Sequence, residues 1–250
     1  MGKRVLVTGA AGTLGVRVLR ALIDEGADVS ALVRPGTEDQ LGALQSRVTV
    51  IPADVWTPAS LKGRGRGQQV VIHLVGGIRP DPKRGVTFRT LNYDSARNIA
   101  QMAVSDGVGH FILLSVAGNL PGVGGAYLDN KRDAEEYLRT TGLVWTILRA
   151  PPIYTPGVRR NPIYALLSLI RLIPPFNILL TTIAPLSADV MARAVARLAL
   201  NADLVNNRII GPGQLRRLGR AVSPRMANVP PPAKVDGRDP LEDVPFGWLP

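Results

Sequence analysis

The sequence has no cysteine. Disulfides, thiolate catalysis and cysteine-based zinc or iron–sulfur sites are therefore excluded. Histidine is almost as scarce, with two in 250 residues, so no metal site is expected. The lack of cysteine suits a reducing compartment, and the cytoplasm is the expected location. Aromatic residues make up 5% of the chain and form no platform interleaved with basic residues. A nucleic-acid reading would rest on charge alone and is set aside. Acids are also few, 19 against 30 lysines and arginines, for a net charge of +11. Segment 155–185 holds three arginines and no acid, and 205–225 holds five arginines and no acid. An acidic protein surface, an anionic lipid or a bound phosphate would each use part of this charge.

Clean apolar runs are missing too. The opening "MGKRVLV" has no apolar stretch of signal-peptide length behind its charges and reads as a strand. The most apolar segment, 163–186, is interrupted by Arg171, Pro174, Pro175 and Asn177. A lipid-exposed backbone there would be unsatisfied, so no spanning helix is expected. A segment lying on a membrane or on a partner fits it better.

What is present is alternation. "RVLVT" (4–8), "DVSALVR" (28–34), "RVTVIPAD" (47–54), "QVVIHLVGG" (69–77), "HFILLSVAG" (110–118) and "LVWTILRA" (143–150) read as strands. Helical patterns over 13–26, 92–107, 130–142, 161–173 and 187–200 fall between or after them, and 207–211 reads as a last strand. Such alternation predicts an α/β fold, a doubly wound, mainly parallel sheet. The expected layout is a dinucleotide-binding domain over 1–154, a small substrate or docking part over 155–211, and an extended tail over 212–250. Seven prolines fall in the last 27 residues. A tail of that composition has no core of its own and is ordered only along its domain or a partner.

In a doubly wound sheet, ligands bind at the carboxyl ends of the strands. "TGAAGTLG" follows the first strand, with Gly9, Gly12 and Gly15 three residues apart. Gly9 permits the turn, Gly12 lets phosphates approach, and Gly15 lets the helix opened by Thr13 and Leu14 pack on the sheet. The helix N-terminus then favours an anion. The second strand ends in Val33–Arg34, where an acid would bind a ribose 2′-hydroxyl and an arginine suits a 2′-phosphate. The expected cofactor is therefore NADP rather than NAD. Gly76 and Gly77 allow close backbone passage at the fourth strand end. Tyr127 and Lys131 stand at i and i+4 on one helix face. A nearby ammonium stabilises a phenolate. His73 reads as a core histidine, His110, at the start of a strand, as structural, and "GRGRG" (63–67) as a surface loop.

These motifs together resemble the short-chain dehydrogenase/reductase superfamily. More narrowly they resemble its atypical branch of NmrA-like proteins and relatives of the complex I accessory subunit. The resemblance runs from about residue 3 to about 211 and is strongest over 4–154. It rests on the glycine loop, "ALVR" (31–34), "PADV" (52–55), "VIHLVGG" (71–77), "NYDSARNI" (92–99), "YLDNK" (127–131) and "LVWTILRAPPIY" (143–154). It implies adenine contact by Asp54 and Val55, cofactor contact by Val75 and Ile153, a nicotinamide-ribose role for Lys131, and a helix–sheet role for Asn92. It also implies a Ser115–Tyr127–Lys131 set for hydride transfer to a carbonyl-type substrate. Extended relatives carry the useful serine later, where this chain has Val116, Ala117 and Gly118. Two readings stay open. One is an NADP-dependent oxidoreductase. The other is a cofactor-binding accessory subunit of a larger, membrane-bound complex, docked through 155–186 and 212–250 and peripheral on the cytoplasmic face.

Overall fold

The structure, a computed structural model, describes residues 2–81, 85–118, 125–155, 184–201 and 207–221. Its centre is a seven-stranded, all-parallel sheet. The strands are β1 (Arg4–Thr8), β2 (Asp28–Val33), β3 (Thr49–Pro52), β4 (Val70–His73), β5 (His110–Val116), β6 (Val144–Ala150) and β9 (Arg208–Ile210), in the order β3-β2-β1-β4-β5-β6-β9. The order reverses between β1 and β4, which places the switch point beside the glycine loop. A separate two-stranded piece pairs β7 (Ile153–Tyr154) with β8 (Leu186–Ser187).

Helices cover both faces because alternate residues of the central strands are apolar on both sides. On one face Val5, Val7, Ile72, Ile112 and Leu114 pack under α1 (Thr13–Asp24) and α5 (Ala188–Leu200). On the other, Leu6, Val71, Phe111, Leu113 and Ile147 pack under α3 (Ser95–Ser105) and α4 (Gly125–Thr140). The short α2 (Pro58–Leu61) follows β3. In α1 the buried residues Leu14, Gly15, Val18, Leu19, Ala21 and Leu22 form one helical stripe. The helix ends at Gly26, whose φ of 82° suits a residue without Cβ. There Gly26 N–H donates to Ile23 O and Ala27 N–H to Leu22 O.

The sheet does not stop at residue 154. β9 pairs with β6, and α5 lies along α1, joined by an Arg17–Asp189 ion pair of 3.1 Å. Residues 188–201 and 207–210 thus extend the doubly wound layer. The expected extended tail begins instead with a helix, α6 (Pro212–Arg220), packed on α5. Its crossing is close: a Cβ on Gly219 would lie 2.0 Å from Val190 O. Arg193 Nε donates to Gly219 O at 2.8 Å, and the Arg197 guanidinium donates to Leu218 O and Ala221 O. Two arginines of α5 therefore cap the carbonyl end of α6. The helix predicted over 161–173 and the Pro-rich stretch 222–250 lie outside the described residues. Among the described residues, no helix is long and apolar enough to cross a membrane.

Both histidines are buried within the sheet, as their flanking apolar residues predict. His73 Nδ1 lies 2.8 Å from Thr8 Oγ1, and His110 Nε2 lies 2.9 Å from Thr146 Oγ1. Burial, then the charge of Lys131, lowers His73 to about 3. Burial, then the charge of Lys3, lowers His110 to about 4. In the unfolded chain both return to about 6.5. The unfolded state therefore binds more protons below that value, and acid must destabilise the fold. Stability is expected to be flat near pH 7.5 and to fall as pH drops from about 6.5 towards 4. The slope reaches about 1.4 kcal/mol per pH unit for each histidine. Urea denaturation at pH 7.5, 6 and 5 measures it. A stability unchanged from pH 7.5 to 5 would mean that neither histidine is held neutral.

Candidate active site

The glycine loop forms the first wall. Gly9 adopts φ 72° and its carbonyl accepts the Gly12 N–H at 3.1 Å. Gly12 is extended and precedes α1, and no side chain caps that helix start. The first turn also holds no acid. An uncapped, acid-free helix start in a glycine turn fits a phosphate. Gly15 sits so tightly that a Cβ there would be 2.1 Å from Gly9 O and 2.6 Å from Ala10 O. The loop carbonyls and the helix thus touch directly.

Arg34 is the first residue past β2. Thr37 donates to its carbonyl through N at 3.0 Å and Oγ1 at 2.7 Å, closing a turn at Gly36. Asp54 follows β3 and organises its own turn. It accepts from Trp56 N at 2.9 Å and Thr57 Oγ1 at 3.3 Å. Trp56 Nε1 in turn donates to Thr90 O at 2.9 Å, and Asn98 Nδ2 donates to Val55 O at 3.0 Å. Val75 is fully buried, and Ile153 is half-buried in β7.

At the end of β4 the chain is clamped by Asn92, in a single wide turn, Thr90–Asp94, that leads into α3. Asn92 Oδ1 accepts from Gly77 N at 3.2 Å, and its Nδ2 donates to Gly77 O at 2.9 Å and Phe88 O at 3.0 Å. Against Gly76 lies the tip of Lys131: a Cβ on that glycine would be 2.5 Å from Nζ. Lys131 Nζ donates to Leu114 O at 3.2 Å. Burial lowers this ammonium to about 8, while the Glu135 charge acts the other way. It remains mostly protonated at neutral pH. Tyr127, one turn earlier on α4, is 2% exposed, and the Phe88 ring lies 6.3 Å from it. Burial pushes its phenol well above the usual range, so it is an acid at neutral pH.

The structure thus brings Gly76, Gly77, Asn92 and Lys131 together at the carboxyl edge of the sheet, with Tyr127 one helical turn above Lys131. It gives Ser115 different company. Its hydroxyl donates to Glu135 Oε1 at 2.5 Å. Glu135 is 1% exposed and also accepts from Arg149 Nη2 at 2.6 Å and pairs with Arg132 and Arg139. Burial pushes its carboxyl up, but hydrogen bonds from Arg149 and Ser115 and the charges of Arg132 and Arg149 outweigh that and hold it below the usual range. Sequence reading passed over this cluster. Its visible signs were helix spacings around Glu135: Lys131 and Arg139 four residues away and Arg132 three. The register that sets Ser115 opposite Arg149 is a property of the folded sheet. Among the described residues, no group of three or more histidines or carboxylates could hold a metal.

The chain matches the family of NAD(P)H-binding domains over residues 9–163. It belongs to that family. It is 33% identical over 153 residues to a ceramide reductase of Caulobacter vibrioides, covering 61% of this chain and 47% of that one. It is 28% identical over 148 residues to the photosystem II assembly factor Ycf39 of Synechocystis, covering 58% and 44%. The chain therefore matches less than half the length of these relatives. Among solved structures, a short-chain dehydrogenase/reductase of Veillonella parvula in complex with NADP superimposes with a TM-score of 0.61 at 18% identity, covering 84% of this chain and 94% of that one. An NADPH-dependent quinone oxidoreductase of Escherichia coli gives 0.56 at 22%, covering 83% and 67%. At such identities the likeness is one of fold.

Proposed function

We propose that this chain is an NADP(H)-dependent oxidoreductase that reduces a small carbonyl-type substrate. The observation that carries the reading is the placement of Lys131, held at Leu114 O and against Gly76, with Tyr127 one turn before it. The free start of α1 would hold the pyrophosphate, with Gly9, Gly12, Thr13, Leu14 and Gly15 around it. Arg34 would face the 2′-phosphate. The carbonyl of Gly77, fixed by Asn92, would border the adenosine ribose. A bound nicotinamide supplies a hydride. Lys131 would hold its ribose, and Tyr127 would deliver the phenolic proton to the substrate oxygen as the hydride reaches carbon. With Ser115 engaged by Glu135, the substrate oxygen would depend on Tyr127 for its hydrogen bond.

Two measurements test this. Replacing Arg34 with serine is expected to weaken NADPH binding at least ~10-fold and leave NADH binding unchanged, the effect of losing one charge-assisted contact. Fluorescence titration with each nucleotide reads it, and an equal loss for both would remove Arg34 from 2′-phosphate recognition. Tyr127→Phe is expected to slow substrate-dependent NADPH oxidation ~100-fold or more with NADPH affinity kept. A panel of small quinones, aldehydes and ketones serves as probe. Equal rates in wild type and variant would take Tyr127 out of the mechanism.

A second reading has its own support. The Ser115 hydroxyl is spent on Glu135 and Tyr127 is almost wholly buried, which suits a subunit that keeps the nucleotide without turning it over. Such a chain would work as an accessory or assembly component, peripheral on the cytoplasmic face of a membrane-bound complex. NADPH binding with no oxidation of the whole panel would favour it.

A further inference from the structure

The last three residues of β5 are each held by a different residue of α4. Lys131 Nζ donates to Leu114 O at 3.2 Å, the Ser115 hydroxyl donates to Glu135 at 2.5 Å, and Arg132 Nη2 donates to Val116 O at 3.0 Å. Arg132 is itself paired with Glu135. Glu135 is further fixed from β6 by Arg149, through Nη2 at 2.6 Å and Nε at 3.2 Å to both carboxylate oxygens. Arg139, 3.6 Å away, closes the cluster from the next turn of α4 and leans on the Trp145 ring. One buried carboxylate thus ties α4 to β5 and β6 at the level where Lys131 enters the site. Without it, the tie between helix and strand falls to single hydrogen bonds.

We propose that Glu135 is a positioning residue, which through this buried cluster sets the register of α4 on β5 and holds the Lys131 ammonium in place and charged beside Gly76. The proposal deepens the nucleotide-binding reading and rests on it for its functional meaning. Glu135 follows Lys131 by one turn on the same helix face, so its field reaches the ammonium directly. The other groups near Lys131 do not replace it. His73 of β4 is held neutral or adds positive charge, and Tyr127 is protonated. Asn92 is uncharged, and Asp94 of the adjoining turn pairs with Arg89 and Arg97. Arg132, Arg139 and Arg149 bring positive charge that Glu135 offsets.

The test follows the Lys131 titration in the full chain. The chain has only five lysines, so 13C-lysine labelling resolves each Cε resonance, and Lys131→Met assigns the one in question. Glu135→Gln keeps the size but removes the charge and turns one accepting oxygen into an amide donor. The Lys131 midpoint is expected to fall from about 8 by roughly one unit. Arg149→Gln, which unmasks the carboxylate, is expected to raise it, and Glu135→Asp to restore much of the wild-type midpoint. A residue that merely glues helix to strand would lower the melting temperature in both glutamine variants with no opposed shift of Lys131. An unmoved Lys131 midpoint in Glu135→Gln overturns the proposal. Should that variant not fold, an unmoved or lowered midpoint in Arg149→Gln overturns it instead. NADPH affinity is measured in parallel. Wild-type protein that binds no NADPH would end the nucleotide reading while the opposed shifts still decided the role of Glu135 at Lys131.

Discussion

Gly15→Ala is expected to lower the melting temperature by about 6–12 °C, the consequence of overpacking that costs about 3 kcal/mol or more. It is also expected to abolish measurable NADPH binding. The added methyl would sit 2.1 Å from Gly9 O, 2.6 Å from Ala10 O and 2.7 Å from Ala10 C. All three are backbone atoms, so no rotamer change relieves the contact. Either α1 lifts from the sheet or the loop 8–12 is pushed outward. Lifting α1 breaks its contact with Val5, Val7 and α5 and strains the Arg17–Asp189 pair. Moving the loop displaces the turn closed by Gly12 N and Gly9 O, on which the proposed phosphate cradle would depend. Both routes cost binding. Gly36→Ala is the control. Nothing lies within 4 Å of its Cβ, so only its left-handed backbone, φ 82°, is penalised. About 1 kcal/mol is expected there, with NADPH affinity retained. Circular dichroism melts and nucleotide fluorescence read both variants. A Gly15→Ala protein as stable as wild type would show that the helix does not rest on the loop.

The glycine spacing made this contact legible, because a loop that closes on a helix start needs a residue without Cβ at its third position. The same holds for the strands. β1, β5 and β6 fall where apolar runs place them, and β4 is only shorter than its pattern, since Leu74 to Gly77 leave the sheet to pass the site. Illegible features came from pairings distant in sequence. Nothing local to Arg149 says that it meets Glu135, and nothing local to Ser115 says that its hydroxyl turns into α4. The motif "LLSVAG" matches the superfamily pattern, yet the side chain is claimed by a buried carboxylate that the motif does not contain. The helix over 187–200 and the last strand over 207–211 were legible from their patterns, but what they pack on was not. Their partners, β6 and α1, lie tens of residues or more away, and only the closed sheet brings them together.

Gly76→Ala is expected to lower NADPH affinity ~10-fold or more and to slow turnover ~100-fold, with a melting temperature within about 4 °C of wild type. Here the added methyl meets side chains and not backbone: Lys131 Nζ at 2.5 Å, Asn92 Oδ1 at 2.9 Å and Lys131 Cε at 3.2 Å. Side-chain tips can move, so the fold survives, but these are the two that organise the site. If Lys131 withdraws, it loses Leu114 O and the place where it would hold the nicotinamide ribose. If Asn92 withdraws, Gly77 loses the clamp on its N–H and carbonyl, and the strand end is released from Phe88. The neighbouring Gly77→Ala separates this effect from mere crowding. Its methyl would approach only Leu91 Cδ1, at 3.3 Å, which a small side-chain adjustment relieves. Affinity close to wild type is expected there. A Gly76→Ala protein with unchanged NADPH affinity would place the nucleotide elsewhere than beside Lys131. The site would then consist of the glycine loop and Arg34 alone, and Tyr127 would have no cofactor to work with.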